Sequence, residues 1–196
     1  SFAQNITLQF VDGNTTITSL EIGADDAVVL GGFDSDHTTP VTLTLGDAND
    51  QTIAGVISGT GGITKIGTGA LTISGNNTYE GETRVSAGVL RLGSTTALGN
   101  LVVSDSTPVV PSSALDLNGA FNATDVPSTG LVIDEVITIS GDGIAGDPDN
   151  GAIFNSSGSS FVNRGLGVVV LAGDSSIGSS AGRFDIRVSL ESDSSG

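Results

Sequence analysis

The chain has no cysteine, methionine or tryptophan, and one tyrosine and one histidine among 196 residues. Without cysteine there can be no disulfide staple and no thiolate metal site. Basic residues are nearly as scarce: 6 Lys and Arg face 22 Asp and Glu, a formal charge of -16. Phosphate recognition needs clustered Lys and Arg, so this balance argues against nucleic acid and anionic lipid as partners. It favours instead a soluble, cation-attracting surface. No stretch approaches 18 consecutive apolar residues, so no segment reads as a membrane-spanning helix. No basic, apolar leader opens the chain at Ser1, so the sequence reads as a processed or excised piece whose export signal lies elsewhere. Helix-type apolar stripes at i, i+3, i+4 and i+7 are absent, and Glu and Lys are few.

What is present describes short strands and many turns. Hydrophobic residues make up 37% of the chain, enough apolar surface to set disorder aside. There are 29 glycines, with abundant Thr, Ser, Asn and Val. Alternation of period two recurs in bursts: Leu43 and Leu45, Leu71 and Ile73, Leu90 and Leu92, Leu115 and Leu117, Ile137 and Ile139, and Phe184 through Leu190. Turn pairs such as Gly46-Asp47, Gly61-Gly62 and Gly75-Asn76 separate them. The chain is predicted to be nearly all β. A sandwich, a barrel and a solenoid all fit this pattern.

Internal repetition favours the solenoid. Residues from Gly67 read GTGALTISGN and those from Gly165 read GLGVVVLAGD. The glycines at 67, 69 and 75 align with those at 165, 167 and 173, and Leu71 and Ile73 align with Val169 and Leu171. Repeats that cannot bury their own apolar face bury it by stacking on the next one. A tandem of β-sandwich adhesion domains split near residue 100 is the competing reading. The missing tryptophan and a repeat that crosses that boundary count against it.

Residues 55–99 read GVISGTGGITKIGTGALTISGNNTYEGETRVSAGVLRLGSTTALG. Gly59, Gly61, Gly62, Lys65, Gly67, Gly69, Leu71, Ile73, Gly75, Asn77, Tyr79, Gly81, Thr83, Val85, Gly88, Leu90 and the closing Ala97-Leu98-Gly99 carry a resemblance. The stretch is similar, nearly residue for residue, to the passenger-associated transport repeat of autotransporters, also called the autotransporter-associated β-strand repeat. Residues 151–182 look like a diverged relative found in giant repetitive bacterial surface proteins, with the diverged repeat taken to run over 151–187. The resemblance implies one segment over 1–196, a right-handed parallel β-helix (β-solenoid) with about three faces per coil. Coils of roughly 20 residues at about 4.8 Å would give about ten rungs and a rod near 50 Å long. Leu71, Ile73, Val85, Leu90 and Leu92 would point inward, with Thr and Ser outside.

The candidate chemical residues each have a plainer reading beside the functional one. His37 sits in Phe33-Asp-Ser-Asp-His-Thr-Thr-Pro40 and reads as an exposed loop residue; no Gly-x-Ser-x-Gly elbow presents a nucleophile to it. Acidic turns occur at Asp25-Asp26, Asp34 and Asp36, Asp47 and Asp50, and Asp142 with Asp147, Asp149 and Asn150. Ca²⁺ takes six to eight oxygens, so Asp142, Asp147, Asp149 and Asn150 are the first choice for a calcium site. They match neither an EF-hand nor the calcium β-roll nonapeptide, and solvated turns are the plainer account. Polysaccharide lyases and hydrolases also use parallel β-helices, so a carbohydrate-active enzyme is the alternative function. The six basic residues, Lys65, Arg84, Arg91, Arg164, Arg183 and Arg187, are scattered rather than grouped in a groove. Arg84 and Arg91 are expected outside the rod beside acidic side chains, and Tyr79 is expected to pack its turn onto the coil.

The sequence therefore predicts a non-catalytic structural or adhesive module of a secreted bacterial surface protein: a spacer, fibre or surface-layer subunit. Its partners are expected to be sister subunits or adjacent repeats of the same protein, and host or cell-surface glycans. No cofactor other than calcium is expected.

Overall fold

The computed structural model describes residues 7–10, 14–31, 39–94, 96–99, 106–109, 112–117, 131–145, 151–156, 164–178 and 184–186. Among them every regular element is a strand. In chain order these are β1 (Thr7–Phe10), β2 (Thr15–Ile17), β3 (Ala27–Leu30), β4 (Leu43–Leu45), β5 (Gln51–Ile53) and β6 (Val56–Ser58). Next come β7 (Ile63–Lys65), β8 (Ala70–Ile73), β9 (Thr83–Val85), β10 (Gly88–Leu92) and β11 (Ser106–Val109). The series closes with β12 (Ser113–Asp116), β13 (Leu131–Gly141), β14 (Ile153–Phe154), β15 (Arg164–Ser175) and β16 (Phe184–Ile186).

These strands form three sheets, and the pairings within them are parallel. The first sheet holds β1, β3 and β6; the second runs β5, β8, β10, β12, β14; the third runs β2, β4, β7, β9, β11, β13, β15, β16. The chain visits the three faces in a constant cyclic order: β4, β5 and β6 are followed by β7, β8 and the 74–80 segment, then by β9 and β10. The 74–80 segment holds its place on the first face through the Thr78 N–H, which donates to the Ile57 carbonyl at 2.8 Å. Over this stretch strands adjacent in sequence do not pair, and each pairs with the strand one circuit away; near the end of the chain β15 pairs with β16, the next strand on its own face.

Register gives the length of a circuit. Leu43 pairs with Ile63 and Ile63 with Thr83, an advance of 20 residues each time. Gln51 pairs with Leu71 at the same interval. Outside this stretch the interval varies: Thr7 pairs with Ala27 and Arg164 with Phe184 at the same spacing, but the circuits are longer where Thr15 pairs with Leu43, Ser106 with Val136, and Leu131 with Arg164. Among the described residues the longest sheet has eight strands, whose seven steps span about 34 Å at about 4.8 Å each.

Alternation explains which side chains go inside. Successive residues of a strand point to opposite faces, so Leu43 and Leu45, Ile63 and Lys65, and Thr83 and Val85 face inward while Thr44, Thr64 and Arg84 face outward. Leu71, Ile73, Val85, Leu90 and Leu92 are all buried, as the resemblance implied. Parallel pairing stacks like on like: Ile53 pairs with Ile73, and Ile73 with Leu92. Each such buried side chain contributes roughly 1.5–3 kcal/mol.

The match between the stretches from Gly67 and Gly165 does not carry into equivalent positions. β8 lies in the second sheet and β15 in the third. Ile73 is fully buried, whereas Leu171, its sequence counterpart, is 62% exposed. The shared glycine spacing marks bends on either side of β8 but falls inside β15, so the same spacing serves different local structures.

Candidate functional site

The polar side chains that the fold buries form bridges between circuits, concentrated in residues 47–99. Lys65 is the clearest case. β7 alternation points it inward, and it is 1% exposed. Its stem takes a place in the line Leu45, Lys65, Val85. Its ammonium donates to the carbonyls of Ile66 at 2.6 Å, Gly67 at 2.9 Å and Ala87 at 3.1 Å. Three N–H donors thus meet three carbonyls, two in its own circuit and one in the next. Lys65 is not one of a set of scattered surface cations. Loss of water around it lowers its pKa from 10.5 to about 8, opposed by the negative charges of Asp47 and Asp50.

Asp47 comes from the preceding circuit. Its carboxylate accepts from the Asn49 N–H at 2.7 Å, which holds its pKa below the usual value, and from the Gln51 side-chain amide at 3.1 Å. Gln51 is buried, donates to the Thr18 carbonyl at 2.8 Å and accepts from the Leu20 N–H at 3.2 Å. It links its own circuit to the one before.

Asn77 joins three circuits at 20-residue intervals. Its Oδ1 accepts from the Ile57 N–H at 2.8 Å, and its Nδ2 donates to the Ala97 carbonyl at 2.7 Å. Tyr79 is fully buried two residues on; its hydroxyl hydrogen-bonds the Thr83 hydroxyl, and its ring lies against Gly99. It packs its turn rather than facing solvent. On the second sheet, the Arg91 Nε donates to Asp116 at 2.8 Å, and Ser156 donates to the same carboxylate through its hydroxyl at 2.7 Å. Three circuits meet there as well. The buried Ser113 hydroxyl donates to the Val85 carbonyl at 2.9 Å.

The pH dependence of Lys65 is a direct check. Between pH 8 and 10.5 the unfolded chain keeps the lysine proton and the folded chain releases it, so stability rises with pH through that window. Below pH 8 both states are charged and the desolvation cost is fully present. Unfolding by urea should show the native chain gaining about 3 kcal/mol relative to Lys65→Met between those limits. A difference that is flat or falls with pH would contradict the burial of the ammonium.

The other sequence candidates are placed as follows. Asp142 is exposed, and Asp147, Asp149 and Asn150 lie outside the described residues. His37, Asp34, Asp36, Arg183, Arg187, Val188 and Leu190 also lie outside them. Asp25 and Asp50 are exposed, and Asp26 and Asp47 are half-buried. Among the described residues no group of three or more His, Cys, Asp or Glu could hold a metal ion. Arg84 is exposed, and Arg91 lies at the surface beside Asp116. The bridging roles of Gln51, Lys65, Asn77 and Asp116 were not foreseen. Lys65 and Asn77 did stand among the residues that carried the resemblance, which was the available signal.

The family model of the Passenger-associated-transport-repeat matches residues 63–92. The chain carries this repeat. The match falls inside the expected 55–99 and covers β7 to β10, with Lys65, Asn77 and Tyr79. Over 115 residues, 59% of the chain, it is 36% identical to the Adhesin BmaC autotransporter of Brucella suis biovar 1 (strain 1330). The chain spans only 3% of that protein's length. No solved structure matches the chain.

Proposed function

We propose that the chain is a stretch of right-handed parallel β-helix that serves, without catalysis, as a structural and adhesive passenger segment on the outer surface of a bacterium. The observation that carries this reading is the use made of the buried polar side chains. Lys65, Asn77 and Gln51 face backbone groups of their own and adjoining circuits, and Asp116 faces Arg91 and Ser156, so their hydrogen bonds hold the circuits together. The passenger-type repeat and the similarity to an autotransporter adhesin support placement at the cell surface.

The outer faces suit contact rather than chemistry. Thr16, Thr44 and Thr64 stand in line on the third sheet and are continued by Arg84; Thr52 and Thr72 stand in line on the second and are continued by Arg91. Such flat, polar, regularly spaced rows fit glycans or a neighbouring passenger. The 196-residue chain should bind cell-surface glycans on an array while releasing no product from acidic polysaccharides, read by ultraviolet absorbance of unsaturated ends and by reducing sugar. Polysaccharide cleavage that disappears on substituting a set of neighbouring acids or arginines would replace this reading with an enzymatic one.

A further inference from the structure

The third sheet carries a proline in its interior. β11 lies between β9 and β13 in the strand order, and Pro108 falls within it. Toward β13 the strand pairs along its whole length, from Ser106 against Val136 to Val109 against Ile139. Toward β9 it pairs at one position, Val109 with Val85. The hydrogen bonds lower in the same sheet explain the difference. There the Leu43 N–H donates to the carbonyl of Gly62, the residue before its partner Ile63. The Leu45 carbonyl accepts from the N–H of Ile66, the residue after its partner Lys65. Carried up to β9, this pattern asks position 108 for the N–H that would close on the Thr83 carbonyl, and proline has none. The pair of Val85 with Val109 draws on no N–H from position 108, so it survives.

We propose that this seam is a hinge, at which the circuits from β11 onward swing away from those below on the third face while the second face holds. It rests on the stacked-circuit fold and adds a joint to the rod. The second sheet supplies the axis. β10 and β12 pair at four positions, from Gly88 with Ser113 to Arg91 with Asp116, and the Arg91–Asp116 ion pair at 2.8 Å reinforces the ladder. The buried Ser113 hydroxyl donates to the Val85 carbonyl at 2.9 Å and pins the corner where the third face passes into the second. The joint is therefore tight at its Val85 end and open at its Thr83 end. Among the described residues the first sheet has no strand beyond β6, so it adds no ladder across the seam. The bridges from Lys65 and Asn77 reach Ala87 and Ala97 and stop below it. Ser112, at the entry to β12, has φ 65°, whereas the turn before β8 uses Gly67 at 73° and β10 opens on Gly88 at 66°. A residue with a Cβ held in the left-handed region makes this corner costlier to keep than those below. A joint here lets the rod bend without breaking the stack, so that both arms can follow an uneven surface.

Distances between pairs of nitroxide labels on the 196-residue chain provide the test. The chain has no cysteine, so labels attach only where one is introduced. Thr16→Cys with Arg84→Cys spans three steps of the third sheet below the seam, about 14 Å. Thr44→Cys with Thr138→Cys spans four steps across it, about 19 Å. The pair below the seam should give one narrow distribution. The pair across it should give a broader one, with a second component several ångströms longer from the open joint. Pro108→Val supplies the missing N–H and should remove that longer component while leaving the lower pair unchanged. A distribution across the seam as narrow as the one below it overturns the hinge, and this comparison stands even if Pro108→Val fails to fold. Breadth that persists in a folded Pro108→Val chain overturns it too, since its source then lies elsewhere. A lower pair far from about 14 Å would instead sink the stacked fold on which the hinge rests.

Discussion

Asn77→Ala is expected to lower the free energy of unfolding by about 4 kcal/mol, a loss out of proportion to the few atoms removed. The reason is the pair of bonds that Asn77 makes at the centre of the stack. Its Oδ1 satisfies the Ile57 N–H one circuit below, and its Nδ2 satisfies the Ala97 carbonyl one circuit above. Alanine leaves the Ile57 N–H buried and unpaired and leaves the Ala97 carbonyl only the long bond from the Tyr79 hydroxyl at 3.5 Å, each loss costing about 1–3 kcal/mol. Asn77→Asp restores the acceptor for Ile57 but sets a carboxylate against the Ala97 carbonyl, so it should be no better than alanine. Denaturant unfolding followed by circular dichroism measures both. A cost below about 1 kcal/mol, which is ordinary for an exposed turn asparagine, would mean that residue 77 bridges nothing.

Gly67→Ala should cost a similar amount, about 4 kcal/mol, by a different route. Gly67 has φ +73°, a backbone region unfavourable for residues with a Cβ. A Cβ there would also fall 2.3 Å from the Asp47 carbonyl oxygen of the adjoining circuit. The obstacle is backbone, so no rotamer relieves it, and the two circuits must move apart. That movement would also disturb the Gly67 carbonyl that receives the Lys65 ammonium. Gly67→Ala combined with Lys65→Met should therefore cost less than the two single losses added together, because they share a contact. Full additivity would place Lys65 and Gly67 in separate environments.

The elements were legible because their information is local. Leu71 and Ile73 alternate with Thr72, Leu90 and Leu92 alternate with Arg91, and a two-residue period says inward and outward without reference to the rest of the chain. Gly67 was legible as a turn for the same reason. Pairing was not, since nothing within β7 states that its neighbours lie 20 residues before and after it. Circuit length was read correctly across the repeat and from Arg164 to Phe184, and too short from Ser106 to Val136, because the added residues between Val109 and Val136 carry no mark separating loop from rung. Lys65 misled for a physical reason: a lysine is ordinarily solvated, and only three carbonyls brought together by two stacked turns make its burial tolerable. Asn77 in the same way reads as any other turn asparagine until the circuits on either side are in place. The 98-residue echo between Gly67 and Gly165 was a likeness of sequence taken for a likeness of position: Gly67 lies in a bend, whereas Gly165, Gly167 and Gly173 lie within β15.

The pairing of β7 tests the account most directly. Nuclear Overhauser contacts between backbone protons of the isotope-labelled chain should connect Thr64 with Thr44 and with Arg84, in the pattern of parallel strands. Contacts that instead join residues 63–65 to 70–73 across a hairpin, in the antiparallel pattern, would show that the chain folds back on itself and does not stack.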